Sequence, residues 1–242
     1  MKKLVVVAHP DDETIYFSGL ILSEPKTEWT VVSITDGNGD GRGKQRHEEF
    51  KRACKTLQVK NALFLDFADA PGKRLPIQSV WKKLHEVRVD YGPFAEVYTH
   101  SILGEYGHQH HQDAARVTYE TFRDHKKVYS VAHNVMPDKK ISIPEKHFNI
   151  KADLFWNTYK KEVERFLNFL PVTAFEGFAK VSHLEIATIY DALIAADEHK
   201  AIPVSELKNI KKHHWLIPFI KQGNVTQMGR LFISLYLAQS KK

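Results

Sequence analysis

The 242-residue chain has 43% hydrophobic residues, 26% charged residues and 12 glycines, a globular composition that excludes disordered and fibrous classes. Its net charge of +6 is unevenly spread: residues 200–242 hold eight bases against the single acid Glu206 and carry +7, which leaves −1 on residues 1–199. The basic character therefore belongs to a C-terminal appendage, and the body shows no charge pattern that points to nucleic acid.

No apolar run approaches the roughly 18 residues of a membrane helix, and the stretch after Lys2 and Lys3 stops at His9, so no signal peptide is expected. Cys54 is alone and can form no internal disulfide, which fits a reducing, cytoplasmic setting. Residues 4–8 form a continuous apolar, β-branched run of the kind found in strands covered on both faces. Runs at 29–34, 62–67, 95–99 and 128–132 read as further strands. Between them, 14–22, 46–57, 77–87 and 111–122 space apolar residues three to four apart, as helices do. This alternation predicts an α/β fold, a mostly parallel sheet with helices on both faces. Cys54, beside Leu57, reads as a small core residue. Past residue 135 Pro137 and Pro144 loosen the pattern, 151–169 resumes a helical period, and Ser182-His183-Leu184-Glu185 opens a helix to about 196 with a capping box. From 200 on, basic residues flank the apolar stretches 215–220 and 231–238. The expected division is a body, 1–199, and a basic helical extension, 200–242, packed on or beside it.

Ligands of such sheets gather at the carboxyl ends of the strands, and two polar clusters fall there. Ala8-His9-Pro10-Asp11-Asp12-Glu13 packs three carboxylates and an imidazole at the end of a buried strand. Carboxylates so close repel and raise one another's pKa unless a cation lies among them. His9 and Asp12 offer the nitrogen and oxygen donors that zinc takes. After the fourth strand, Gly104-Glu105-Tyr106-Gly107-His108-Gln109-His110-His111-Gln112-Asp113 places three histidines within four positions. One of them would complete the three protein ligands of a catalytic zinc site. In a helix beginning here His108 and His111 share a face and His110 points elsewhere.

These two motifs resemble those of the zinc-dependent N-acetylglucosaminyl deacetylases (PIG-L/LmbE-like): the first matches at every position, and His108-x-x-His111 matches the second. Thr35-x-Gly37, Arg46-x-x-Glu49 and Asp69 resemble the intervening family elements, and the likeness covers roughly residues 3–135. It implies a Rossmann-like catalytic domain that removes the N-acetyl group from an amino sugar or sugar conjugate. It further implies that His9, Asp12 and His111 bind Zn2+, that Asp11 is the general base, and that His108 is the imidazolium that stabilises the oxyanion or protonates the amine. Tyr106 is placed to donate to that oxyanion, and Arg46 suits a sugar diol or phosphate. Asp69 and His100 are further candidates for substrate contact. The family's usual Pro-Asp between the two histidines is here Gln109-His110, with Glu105 or Asp113 as substitutes for the missing acid.

Other readings carry less. Asp36-Gly37-Asn38-Gly39-Asp40-Gly41 opens like a calcium loop but has His47 where a bidentate Glu is required, so it reads as a glycine loop at the site's rim. A zinc amidohydrolase acting on another small N-acyl amine, and a non-catalytic sugar- or partner-binding module, are the alternatives; a carboxylate to spare at Asp11 favours a hydrolase. The extension, with Trp215 and Phe219, suits contact with an anionic membrane surface or an acidic carrier.

Overall fold

The computed structural model describes residues 1–166, 173–198, 200 and 202–222. Five strands run parallel: β1 (Lys2–Val7), β2 (Glu28–Thr35), β3 (Asn61–Phe67), β4 (Glu96–Thr99) and β5 (Val128–Val131). Two more, β6 (Lys139–Ser142) and β7 (Phe175–Ala179), pair antiparallel, and β7 joins them to β5. Among the described residues the sheet order is β3-β2-β1-β4-β5-β7-β6. Strand β1 alternates between two cores. Leu4 and Val6 pack with residues of α3 (Ile77–Tyr91), α5 (Gln109–Thr121) and α8 (His183–Asp197). Val5 and Val7 pack with Phe17 of α1 (Asp12–Ser23) and Phe50 of α2 (Gly43–Thr56). The expected α/β architecture, parallel-rich with helices on both faces, is therefore the observed one.

The chain leaves β1 toward β2 and β3, then returns to place β4 on β1's other side. The carboxyl ends of β1 and β4 thus flank a topological switch point, where open α/β sheets form a crevice. Both polar clusters start there.

Beyond residue 131 the structure departs from the expected pattern. Strands β6 and β7 were not anticipated, because KKIS and FEGFA are short and carry no continuous apolar run. The helix expected over 151–169 begins earlier, as α6 (Glu145–Asp153), passes through one π turn at Leu154–Thr158 and resumes as α7 (Lys160–Phe166); residues 167–169 lie outside those described. Ser182 Oγ does accept the Glu185 N–H at 3.1 Å. Glu185, however, does not close the capping box. Its carboxylate accepts the backbone N–H of His213 at 2.7 Å and lies 2.9 Å from His213 Nδ1.

That contact ties the extension to the body. Leu207, Ile210 and Leu216 join the core that includes α8, and Lys212 pairs with Asp138 at 2.5 Å. Trp215 is 37% exposed and Phe219, on the short helix α9 (Ile217–Lys221), 49%. The apolar stretch 231–238 lies outside the described residues. Among those described, no helix is long and apolar enough to cross a membrane.

Candidate metal centre

Strand β1 delivers His9 at the crevice, and the turn into α1 bends sharply at Asp11, whose φ of +112° is rare for an L residue. Backbone strain of this kind persists only where surroundings enforce it. Here the Asp11 N–H donates to Glu13 Oε2 at 3.0 Å, and Arg46 of α2 donates to Asp11 Oδ2 at 3.0 Å and to the Pro10 carbonyl at 2.5 Å. Burial raises the Asp11 carboxyl well above its ordinary range; Arg46 opposes that rise, while Asp12 and Glu162 add to it. Glu13 is buried, pushed up to about 7 by desolvation, and held by Thr14 Oγ1 at 2.6 Å and Tyr159 Oη at 2.7 Å. Glu162 of α7 reaches Arg46 at 3.8 Å and also pairs with Arg42.

The second cluster is built around one strained turn. In α4 (Gly104–Gly107) Glu105 has φ +52°. Its carboxylate accepts the Ser101 N–H at 2.7 Å, sits 2.6 Å from His111 Nδ1 and lies 3.2 Å from His100 Nδ1. A carboxylate only accepts, so His111 carries its proton on Nδ1 and turns Nε2 inward as a lone pair. That Nε2 is buried without a hydrogen-bond partner, 3.5 Å from Asp12 Oδ1. Burial pushes the His111 ring down to about 4, keeping it neutral and able to ligate. Asp12 is ionised: the neighbouring His111 and His100 rings outweigh its burial and hold it well below the usual carboxylate range. Its other oxygen, Oδ2, lies 3.4 Å from His9 Nδ1.

These spacings can be tested against zinc. Donors about 2.1 Å from a tetrahedral ion stand about 3.4 Å apart, close to both Asp12 separations. Among the described residues three trios of donor atoms lie within 4.8 Å of one another: His9-His108-His111, Asp12-His100-His111 and His9-Asp69-His110. The expected set His9-Asp12-His111 is not itself one of these trios, and is linked through the two oxygens of Asp12. His100 is the poorer ligand, because its Nε2 already accepts the Ala8 N–H at 3.1 Å. The orphaned Nε2 of His111 and an ionised carboxylate beside it fit a divalent cation.

The remaining candidates are placed as follows. His108 is the N-cap of α5, in an extended conformation, and its Nδ1 accepts the His110 N–H at 3.2 Å. An accepting Nδ1 makes the ring neutral with its proton on Nε2, and burial lowers its pKa well below the usual value. An imidazolium is thus not its resting form. Because residue 108 caps the helix instead of lying in it, His110 does not point away: its Nδ1 is 3.1 Å from His9 Nε2. Both expected substitute acids are engaged with other groups. Glu105 serves His111 and His100, while Asp113 accepts from Arg74 at 2.8 Å, Leu75 N at 2.8 Å and Tyr190 Oη at 2.8 Å. His100 is fully buried and has no surface to offer a substrate. Arg46 is also buried, its guanidinium directed at Asp11 and Pro10. Asp69 lies 3.6 Å from His9, 3.5 Å from His110 and 3.8 Å from Arg46. Tyr106 is 42% exposed, its ring 5.8 Å from that of His108. In the glycine loop, Asp36 accepts the N–H groups of Asn38 and Asp69, a turn-closing role. Cys54 is buried in the α2 core.

Residues 4–122 match the PIG-L family model, described as GlcNAc-PI de-N-acetylase. An uncharacterized protein of Acanthamoeba polyphaga mimivirus is 27% identical over 129 residues, 49% of this chain and 56% of that protein, so the match spans little more than half the relative's length. Among solved structures, a deacetylase of teicoplanin biosynthesis in complex with teicoplanin superposes with a TM-score of 0.57 at 11% identity, covering 74% of this chain and 98% of that one. N,N'-diacetylchitobiose deacetylase from Pyrococcus horikoshii gives 0.56 at 19% identity, covering 76% and 84%. The 4-carboxy-2-hydroxymuconate hydratase from Pseudomonas putida gives 0.53 at 19%, covering 74% and 95%. At these identities the likeness establishes a shared fold, and the hydratase among the neighbours shows that the fold alone does not choose a reaction.

Proposed function

Taking residues 4–122 as a GlcNAc-PI de-N-acetylase (PIG-L) family segment, we propose that the protein is a zinc-dependent hydrolase that removes the N-acetyl group from an N-acetylated amino sugar or sugar conjugate. The observation that carries this reading is the unpartnered, inward-facing Nε2 of His111 beside ionised Asp12, with a second carboxylate, Asp11, clamped separately by Arg46. A binding module has no use for that second carboxylate. His9, Asp12 and His111 would hold the ion, which supplies the positive charge that acidifies water and polarises an amide carbonyl.

The chain's own groups do the rest. Asp11, its pKa raised by burial, takes the proton of the attacking water and is suited to pass it on to the departing amine. His108 presents an Nε2–H donor to the carbonyl oxygen as negative charge develops there. Tyr106 stands beside it as a partly exposed second donor. Arg46 acts on Asp11, whose strained backbone it helps to hold, and His100 acts on Asp12 from beneath. Support for an N-acetyl sugar as substrate comes from the family description and from the deacetylases that share the fold. Lys208, Lys211, Trp215 and Phe219 are all exposed, basic and apolar groups that would place an acidic carrier or membrane-borne substrate. Activity on such a substrate should then fall as salt rises.

Acetate release from free, nucleotide-linked, lipid-linked and glycoside-linked N-acetyl sugars by the zinc-loaded chain, with a chelated control, tests the reading. Chelator-sensitive release from at least one class is expected. Zinc binding with no release from any of them would transfer the protein to the non-catalytic reading or to another N-acyl amine.

A further inference from the structure

We propose that His110 is a positioning residue that fixes which nitrogen of His9 faces the metal; the proposal rests on the zinc-hydrolase reading above. It concerns the residue standing where the resembling family carries an acid. The chain of reasoning begins in the loop after β3, where the Lys73 carbonyl lies 2.8 Å from His110 Nε2. A carbonyl can only accept, so His110 keeps a proton on Nε2, and the nitrogen it turns toward His9 is Nδ1. That nitrogen is 3.1 Å from His9 Nε2. When His9 holds the ion through one nitrogen, this contact keeps the proton on Nε2 and leaves Nδ1, on the Asp12 side at 3.4 Å, as the ligating one. His110 is 1% exposed, so water does not compete for this contact.

The arrangement parallels Glu105 on His111. Each imidazole ligand has its tautomer set by a partner on its far nitrogen, as metal-bound histidines generally do. The two partners differ in kind. Glu105 is an anion and raises the basicity of its ring, whereas His110 is an imidazole anchored to backbone and contributes orientation. The Asp69 carboxylate, 3.5 Å from His110 and 3.6 Å from His9, supplies the nearby negative charge. Asp69 and Lys73 come from one loop, so a single segment braces both rings. The same three atoms, His9 Nε2, His110 Nδ1 and Asp69 Oδ1, would have to strip His9 of that proton to hold a second cation, and the experiment separates the two outcomes.

The full-length protein is titrated with zinc in competition with a chelator, alongside His110→Ala and His110→Asn. Loss of an outer partner generally costs about 10–100-fold in metal affinity, and that loss is expected for His110→Ala, measured at a temperature where the variant's circular dichroism shows it folded. His110→Asn, whose side-chain oxygen can accept from His9, should recover most of the affinity. In the zinc-loaded wild type, 15N-histidine spectra should show His9 protonated on Nε2. That measurement does not depend on the variants folding. The proposal is overturned by a His9 protonated on Nδ1, by equal affinity in wild type and His110→Ala, by failure of Asn to rescue, or by a two-zinc wild type that loses one ion in His110→Ala. A wild type that binds no zinc would overturn the parent reading as well, whereas one zinc with an indifferent His110 overturns this one alone.

Discussion

The first half of the chain and the second contribute to the centre in different ways. Residues 4–122, the family-matched portion, bring every donor of the trios found: His9, Asp12, His108, His110 and His111 from two short motifs after the adjacent parallel strands β1 and β4, His100 from the end of β4 and Asp69 from the loop after β3. Residues beyond 122 bring no donor to the trios found; they reach back singly, as Tyr159 does to Glu13 and Glu162 to Arg46. That half also closes the sheet with an antiparallel edge and buries its own ion pair, Lys151–Glu176, at 2.8 Å. Chemistry is thus written locally and its support is written at long range. Variants within the two motifs should damage rate with stability intact, and variants of ion pairs remote from them should do the reverse.

Asp11→Asn is the sharpest form of the first claim. The substitution removes a proton acceptor and leaves His9, Asp12 and His111 in place. A general base is worth about 10²- to 10⁴-fold, and kcat for deacetylation should fall by that amount while zinc content stays at the wild-type level. Wild-type turnover would return Asp11 to a structural role. Lys151→Met is the counterpart in the second half. Glu176, which also accepts the N–H groups of Gly19 and Leu20 at 2.8 Å each, would be left buried without its cation. Breaking one side of a buried pair costs about 3–5 kcal/mol, to be read as a fall in urea midpoint, with kcat of the folded fraction unchanged. A rate loss of the Asp11 kind would erase the contrast between the halves.

The same contrast explains what the sequence allowed to be read. Strands β1 to β5 and both motifs were legible because each rests on neighbours in the chain: an apolar run, then donors within a few positions. The place of His110 was not, since the i, i+3 argument presumed a helix through 108, and a cap in extended conformation turns that residue out of the helical register. Arg46 looked like a substrate ligand because no spacing rule shows that its guanidinium is buried against Asp11. Tyr159 and Glu162 were invisible for a related reason. They lie 146 residues from Glu13 in the one case and on a separate helix from Arg46 in the other, and nothing local marks them. Strands β6 and β7 failed through brevity.

Glu162→Gln probes the long-range support more gently. Removing its charge slackens the hold on Arg46; a loss of about 1 kcal/mol in that contact corresponds to about fivefold in rate. Glu162 also raises the Asp11 carboxyl. With Arg46 still in place, its neutralisation should shift the acidic limb of the pH–rate profile to lower pH, whereas a shift to higher pH would mean that Arg46, which lowers the Asp11 carboxyl, had withdrawn. An unmoved limb would make Glu162 a brace only.

The smallest effect is expected where the two halves meet at the far end of the sheet. There Glu96 of β4 is 2.6 Å from Lys3 and 3.4 Å from Lys139 of β6, and Tyr98 Oη donates to it at 2.5 Å. Burial alone would raise its carboxyl, but the hydrogen bonds from Lys3 and Tyr98 and the charge of Lys139 pull it down to about 2, from an ordinary 4.5. A carboxyl lowered in the folded state contributes stability that is fully present above its unfolded value and disappears as pH falls through the folded one. The contribution should therefore hold above about pH 4.5 and fade toward pH 2, and Glu96→Gln should flatten the acid loss of stability in that window. Lys3 and Lys139 keep Glu24 as a partner in the variant, at 2.6 and 3.0 Å, so the loss at neutral pH is modest. This cluster is at the amino end of β4 and the candidate metal centre beyond its carboxyl end. Deacetylation at neutral pH should be untouched, and a drop in kcat for Glu96→Gln would mean that the ends of the sheet are coupled in a way the division into a local chemistry and a remote support does not allow.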